Sequence, residues 1–509
     1  MPQRRFLLII AVGVILLAVL PYLVAGMAGD GQQFGGFLIN PIDGHSYLAK
    51  MQEGYRGQWK FTLPYTAEPG QGAYLFLFYL TLGHLAKCLQ LPVLVVFHGA
   101  RIIGAVVLIW AVARLTQAVF KGEKDRKTAL ALILLGSGLG WIAILAGMFT
   151  SDFWVAEAYP FLSMYATPHF ALGLALMIFA VLPYGKNGFL VKFSLGMAIS
   201  VLQPFGVVII LLVLLLDAAV WLLSEKPSWI SLINSDRIRG VVGFGIGGGP
   251  FLIYQYWSIV SDPVLAMWHA QNQTPTPSLI DLILSLSPSL VIGFFGVKKA
   301  WRSPQSRKLV LWAGISIVLV FVPWSLQRRF LTGIYVPLAC LCVYGLSWLS
   351  EQSRLHRRFW AALVLILSVP TNLIIVISGF QAAIHKDPQI YIDPAEVRSL
   401  GWIANNTDSD ALIVAEPDMG LLIPSASGRR VIYGHPFETA PAAEELDLIE
   451  SFFYQAHPST YYKEFLDSRA ADYVLITDSS SLAIRAWLEE HWVLVFAVED
   501  QEIFGRQAQ

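Results

Sequence analysis

Apolar runs of roughly 20 residues recur from the start of the chain to about residue 380, and then they stop. Such a run is what a helix rising 1.5 Å per residue needs to cross a hydrocarbon core of about 30 Å. The runs at about 6–27, 93–118, 128–148, 168–184, 189–203, 205–224, 239–258, 279–297, 308–324, 331–350 and 359–380 predict eleven spanning helices. From about His385 the pattern shortens and polar residues return. Asp393–Asn406 predicts a helix, with Asp393 capping it and Pro394 in its first turn. Ala411–Ala415, Arg430–Tyr433, Tyr473–Ile476 and Trp492–Phe496 predict short strands between helical segments. The expected class is an α-helical polytopic membrane protein with a small C-terminal α/β domain whose sheet is mostly parallel. The expected domains are 1–384, which carries a long loop at 28–92, and 385–509.

Charge gives the spans a direction. Arg4 and Arg5 precede the first. Lys121, Lys124, Arg126 and Lys127 follow the second, and Lys186 and Lys192 follow the fourth. Lys226, Arg237 and Arg239 follow the sixth, and Lys298, Lys299, Arg302, Arg307 and Lys308 the eighth. Arg354, Arg357 and Arg358 follow the tenth. The positive-inside rule makes these loops cytoplasmic. The loops after the third, fifth and seventh spans hold no Lys or Arg. Residues 73–89 are apolar too, but a crossing there would put every later basic loop outside. They are therefore expected as a juxtamembrane helix. The N-terminus is expected in the cytoplasm and the C-terminal domain outside the plasma (inner) membrane.

Composition agrees with this class: 56% of the 509 residues are hydrophobic and 14% charged, against about 25% charged in soluble domains. A net charge of zero argues against nucleic acid as a partner. The first apolar run reaches about Ala25, too long for a signal-peptide core, so it reads as a retained span. Cys88, Cys340 and Cys342 have neither a zinc nor a disulfide spacing. No Gly-rich dinucleotide fingerprint accompanies the strands, so binding of a dinucleotide cofactor is unsupported. Gly243–Gly249, inside the seventh span, reads as close helix packing.

Candidate chemistry lies in the outer loops. Asp43 opens the polar, aromatic stretch Asp43-Gly44-His45-Ser46-Tyr47, just past the first span. An acid there is either a general base or a cap or turn residue. Tyr47, Leu48, Met51 and Tyr55 can share one face of a helix lying on the membrane surface. Arg328 and Arg329 stand in a short outer loop that breaks the charge alternation. They either anchor lipid headgroups or bind a phosphate bidentately. The loop at about 149–168 offers Asp152 and Glu157. Arg101 near the outer end of the second span either touches a phosphate or snorkels.

The apolar first span, then Asp43-x-x-x-Tyr47, Gly57-x-Trp59 and a Pro-rich stretch, resembles the GT-C superfamily of membrane glycosyltransferases. That group includes protein O-mannosyltransferases, oligosaccharyltransferases and aminoarabinose transferases. Gly420–Pro424 and Gly428–Thr439 are similar to a stretch in uncharacterised bacterial members. The resemblance implies transfer of a sugar from a polyprenyl-phosphate donor to a glycan, lipid or protein acceptor at the outer face. Asp43 would be the catalytic base. Asp152 or Glu157 would assist it, in some members as a ligand to a divalent cation, although no Asp-x-Asp pair supports a metal. Arg328, Arg329 and Arg101 would meet the donor phosphate, and His45, Tyr47, His169 and His269 would shape the sugar or acceptor pocket. A non-catalytic scaffold of the same fold remains open. A lipid-linked-sugar flippase needs ionisable groups within the spans. Asp217 is nearly the only internal acid there, and no inverted repeat is evident.

Overall fold

The computed structural model describes residues 2–27, 31–233, 235–353 and 355–507. Arg354 and the first residues of the expected loop, 28–30, lie outside them. The chain divides into two compact units, one of Met1–Val24, His98–Tyr254 and Thr274–Ala382, the other of Ala25–Phe97, Gln255–Gln273 and Ala383–Gln509.

Helix occupies each of the eleven expected windows, but the helices differ in reach. Among the described residues, four are long and apolar enough to cross a membrane: Arg4–Met27, Val93–Val119, Pro204–Glu225 and Arg357–His385. Two bent pairs raise the number to six, Glu123–Leu135 with Gly140–Ala146 at 46° and Leu279–Leu286 with Ser289–Ala300 at 74°. The others fall short for local reasons. Pro168–Val181 has 14 residues, about 21 Å of helix. Asp236–Ser261 starts with Asp236, Arg237 and Arg239 and carries an internal Pro250. Its glycines pack closely, as expected: a Cβ at Gly247 would stand 2.1 Å from the Phe193 carbonyl oxygen.

The second unit differs from the expected 385–509 domain, because the first loop and Gln255–Gln273 join it. Backbone pairing gives the reason. Strand β1 (Gln33–Phe34) pairs antiparallel with β2 (Tyr391–Ile392), and Val431 N–H donates to the Pro64 carbonyl at 3.0 Å. A five-stranded sheet follows, from β3 (Leu412–Val414), β4 (Arg430–Val431), β5 (Tyr473–Ile476), β6 (Val493–Val498) and β7 (Gln501–Gly505), in the order β4-β3-β5-β7-β6. β3 is parallel to β4 and to β5. β7 runs antiparallel to both its neighbours, so the sheet is mixed.

Alternation along the strands divides the core. Leu412, Val414, Val474 and Ile476 face Phe452, Phe453 and Leu488. Ile413, Val431, Leu475 and Ile503 face Leu400, Ile403 and Ile423. Helix Pro394–Asn406 begins at a full capping box between Asp393 and Glu396, which satisfies two otherwise orphaned N–H groups.

The Pro41–Tyr55 helix is not a surface helix. Leu48, Ala49, Lys50, Met51, Glu53 and Gly54 are all buried, and it packs against helices Leu77–Leu89 and Pro417–Ser427. Polar residues at its buried positions disguise it as amphipathic. Leu77–Leu89 has 13 residues, about 20 Å. The two helices approach through paired glycines: a Cβ at Gly83 would stand 2.0 Å from the Met51 carbonyl oxygen, and one at Gly54 2.1 Å from that of Leu80.

Overpacking at such a crossing costs about 1–3 kcal/mol. Gly83→Ala is therefore expected to lower the thermal midpoint of the detergent-solubilised protein by several degrees. Gly401→Ala, with nothing within 4 Å of the added carbon, is expected to leave it unchanged or raise it slightly. Equal midpoints for the two variants would contradict this packing.

Candidate functional site

Asn40 takes a left-handed conformation at φ 48° and Pro41 starts the helix, which places Asp43 in its first turn. A carboxylate there is favoured by the unpaired N–H groups and the helix dipole. Gly44 is required behind it, because a Cβ would lie 2.4 Å from the Phe37 ring. The Asp43 side chain is 52% exposed, and its Oδ1 stands 4.0 Å from Nε2 of His435.

His435 is buried. Its Nδ1 accepts from the backbone N–H groups of Phe437 and Glu438, both at 3.1 Å. That nitrogen is therefore unprotonated, and the proton of the neutral ring sits on Nε2. Nε2 turns toward the Ile42 carbonyl and Asp43 without reaching a hydrogen-bond partner. Burial lowers the His435 pKa below the usual histidine range; Glu438 and Asp43 oppose this in part. The result is a neutral N–H aimed at an exposed carboxylate.

One buried ion pair fixes this arrangement. Lys50 Nζ lies 2.5 Å from Glu438 Oε1. Ser46, one helical turn before Lys50, donates to the same oxygen at 2.6 Å, and Lys50 donates to Ser46 Oγ at 2.6 Å. The ammonium also stands 4.5 Å from the centre of the Phe76 ring. Burial would raise the Glu438 pKa, but the Lys50 charge and the hydrogen bonds from Lys50 and Ser46 hold it below the usual range. On the far side, Gln271 donates to the carbonyls of Thr439 and of Phe437, the latter at 3.3 Å, and accepts from Ala442 N–H at 3.0 Å. Gly420 and Gly434 let this loop lie against helix Pro417–Ser427 at backbone contact.

The expected pocket residues divide. His45 is buried and bonded through Nδ1 to Ser425 Oγ at 3.0 Å. Ser425 spends its own proton on the Leu422 carbonyl, so His45 is the donor. Burial, with His435 adding to it, pushes its pKa down to about 4. His45 thus holds the helix rather than a sugar. Tyr47 stacks on Tyr79 at 4.6 Å. His269 sits half-buried in the last turn of Pro263–Gln271, the helix that carries Gln271.

The other expected residues belong to the first unit. Asp152 is fully buried. It accepts from Gly138 and Gly140 N–H at 3.2 and 3.0 Å and from the Thr150 hydroxyl at 2.6 Å. It therefore holds the break between Glu123–Leu135 and Gly140–Ala146. Glu157 pairs with Arg329, Oε1 to Nη1 at 3.1 Å, and Arg328 lies over the Trp154 ring at 4.6 Å. Arg101 is not placed for a phosphate. It is buried, stacks on Tyr22 at 3.9 Å, and donates to the carbonyls of Ala18, Met164 and Tyr165. His169 is half-buried at the start of Pro168–Val181, 4.0 Å from the Phe170 ring. Among the described residues, no group of three or more His, Cys, Asp or Glu side chains can hold a metal ion.

Sequence reasoning missed Lys50, His435 and Glu438. The available signal was the Ser46/Lys50 spacing, which puts two polar groups on one helix face, and the Gly434-His435-Pro436 loop directly after a strand.

No family model matches the chain, and none of the curated proteins is significantly similar to it. Solved structures are. The oligosaccharyltransferase of Archaeoglobus fulgidus, solved with a tethered acceptor peptide containing the NVT sequon, matches at TM-score 0.57 and 14% identity over 93% of this chain and 69% of that one. Its apo form matches at 0.57 and 13% over 96% and 72%. The oligosaccharyltransferase AglB of the same organism, with an inhibitory peptide and a dolichol-phosphate, matches at 0.53 and 14% over 93% and 69%. The likeness to these structures is one of fold.

Two outcomes follow. Lys50→Met leaves Glu438 buried and unpaired, at a cost of about 3–5 kcal/mol. The double variant Lys50→Met/Glu438→Gln is expected to be less destabilised than the two single losses summed; additive losses would contradict the pairing. Glu53 is the second case. Burial, opposed by the Thr62 hydrogen bonds, raises its pKa from 4.5 to about 7. Its contribution to stability is then fully present below about pH 4.5 and is lost as pH rises through about 7. Glu53→Gln should raise the unfolding midpoint relative to the unmodified protein at pH 8 but not at pH 4. A difference independent of pH would refute the shift.

Proposed function

We propose that this protein is a glycosyltransferase that moves a sugar from a polyprenyl-phosphate donor to an acceptor at the outer face of the membrane. One observation carries the reading: an exposed carboxylate, Asp43, at a helix N-terminus, faced by the buried neutral N–H of His435. The fold shared with these oligosaccharyltransferases, solved with acceptor peptide and with dolichol-phosphate, supports the reaction class and the lipid donor.

In the proposed reaction Asp43 takes the proton of an acceptor hydroxyl or amine as that atom attacks the anomeric carbon. The bond from that carbon to the phosphate oxygen breaks, and its electron pair leaves with the polyprenyl phosphate. His435 Nε2–H then has two tasks. It orients the Asp43 carboxylate once substrate tightens the 4.0 Å gap, as catalytic hydrogen bonds often tighten on binding. Being neutral, it does so without removing the negative charge that makes Asp43 a base. Developing charge on the leaving phosphate calls for a fixed cation.

The test is transfer of label from polyprenyl-phosphate sugars in membranes containing the protein. Asp43→Asn is expected to lower kcat by about 10²–10⁴-fold, the usual worth of a general base. His435→Gln should lower kcat and shift the acidic limb of the pH profile. Full activity of a normally expressed Asp43→Asn variant would exclude this mechanism.

A further inference from the structure

The first unit contains a cavity of about 290 Å³ whose charge has no part in the chemistry above. Three cations line it: Arg4 from the first turn of Pro2–Met27, and Arg126 and Lys127 from the start of Glu123–Leu135. No acid lines it. The two acids of that helix's first turn are engaged: Glu123 lies 2.7 Å from Lys127, and Asp125 pairs with Arg357. Arg126 Nε donates to the Phe120 carbonyl at 2.7 Å, which fixes the guanidinium plane. Lys127 also stands 5.4 Å from the Phe6 ring centre. Two helices start here, and their N-terminal dipoles add to the positive potential.

The cavity is amphipathic. Thr116 and Gln117 supply polar wall, while Phe6, Leu7 and Leu130 supply an apolar floor. Beyond the floor, the same first helix exposes Leu8, Ile9, Val12 and Leu16, at 64%, 70%, 47% and 46%. A free phosphate has no use for that surface, whereas an acyl chain does. We propose that this cavity binds the phosphodiester headgroup of an anionic phospholipid, with Arg4, Arg126 and Lys127 on the phosphate and the chains along the first helix. Charge alternation puts this end of the helices at the cytoplasmic leaflet, where basic pockets between spanning helices take such headgroups. The site is independent of glycosyl transfer.

Full-length protein in neutral detergent tests this directly, with phosphatidylglycerol, phosphatidylcholine and inorganic phosphate as separate probes. Retained lipid is counted by native mass spectrometry and the thermal midpoint is measured. Phosphatidylglycerol is expected to stay bound and raise the midpoint; the other two are not. Arg126→Gln/Lys127→Gln should retain at least tenfold less phosphatidylglycerol. Arg4→Gln, at an exposed first turn on which the fold does not depend, should show the same direction. Lys124→Gln, exposed on the same helix but outside the cavity, should behave as the unmodified protein. Equal retention of the two lipids, a shift reproduced by inorganic phosphate, or an equal loss in Lys124→Gln would overturn the proposal.

Discussion

The second unit depends on one buried ion pair. Lys50 is fully buried, and its partner Glu438 lies 388 residues away in sequence. Removing two charges from water costs several kcal/mol each, so the pair persists only where geometry and hydrogen bonds compensate. Ser46 and the face of Phe76 supply that compensation. Such a pair contributes little net stability compared with an apolar substitute, but it tolerates one register only. If the Pro41–Tyr55 helix slid by a residue, Lys50 would lose Glu438 and both charges would be stranded. The pair thereby fixes where the helix N-terminus, and so Asp43, meets the loop that carries His435.

Around that fixed point the electrostatics divide cleanly. His435 and His45 are both kept neutral by burial, and each has its tautomer set by a specific partner. Asp43 alone among these groups keeps half its side chain in solvent. A reactive group must reach substrate, and a group that positions it must not move; burial distributes the two roles. In the first unit the polar residues do structural work of the same kind. Asp152 closes a helix break, Glu157 aligns Arg329, and Arg101 ties three carbonyls together.

Local order was legible in the sequence, and long-range pairing was not. The apolar windows held helices because a 20-residue run has few alternatives. The capped helix at Asp393 and four of the strands stood where Pro placement and alternation put them. Strand β7 escaped because Gln501 and Glu502 hide its alternation; it is the return limb of a hairpin turning at Glu499 and lies between β6 and the distant β5. Asp43 was singled out because its position after the first span is local. Lys50 drew no attention, since nothing nearby in sequence shows that Glu438 will neutralise it. Arg101 was misjudged for a related reason: a guanidinium in an apolar helix signals a partner, but three backbone carbonyls leave no trace in side-chain pattern. The same limit explains the division into units, because the pairing of Gln33–Phe34 with Tyr391–Ile392 joins segments more than 350 residues apart.

The central claim is that the Asp43–His435 arrangement meets the anomeric end of a lipid-linked sugar. A cryo-electron microscopy structure of the full chain with a polyprenyl-phosphate sugar tests it most directly. The account predicts the anomeric carbon within a sugar's width of Asp43, and His435 Nε2 drawn to hydrogen-bond distance of the Asp43 carboxylate or the substrate. A lipid-linked sugar bound with its anomeric carbon remote from Asp43, and the Asp43–His435 separation unchanged, would contradict it.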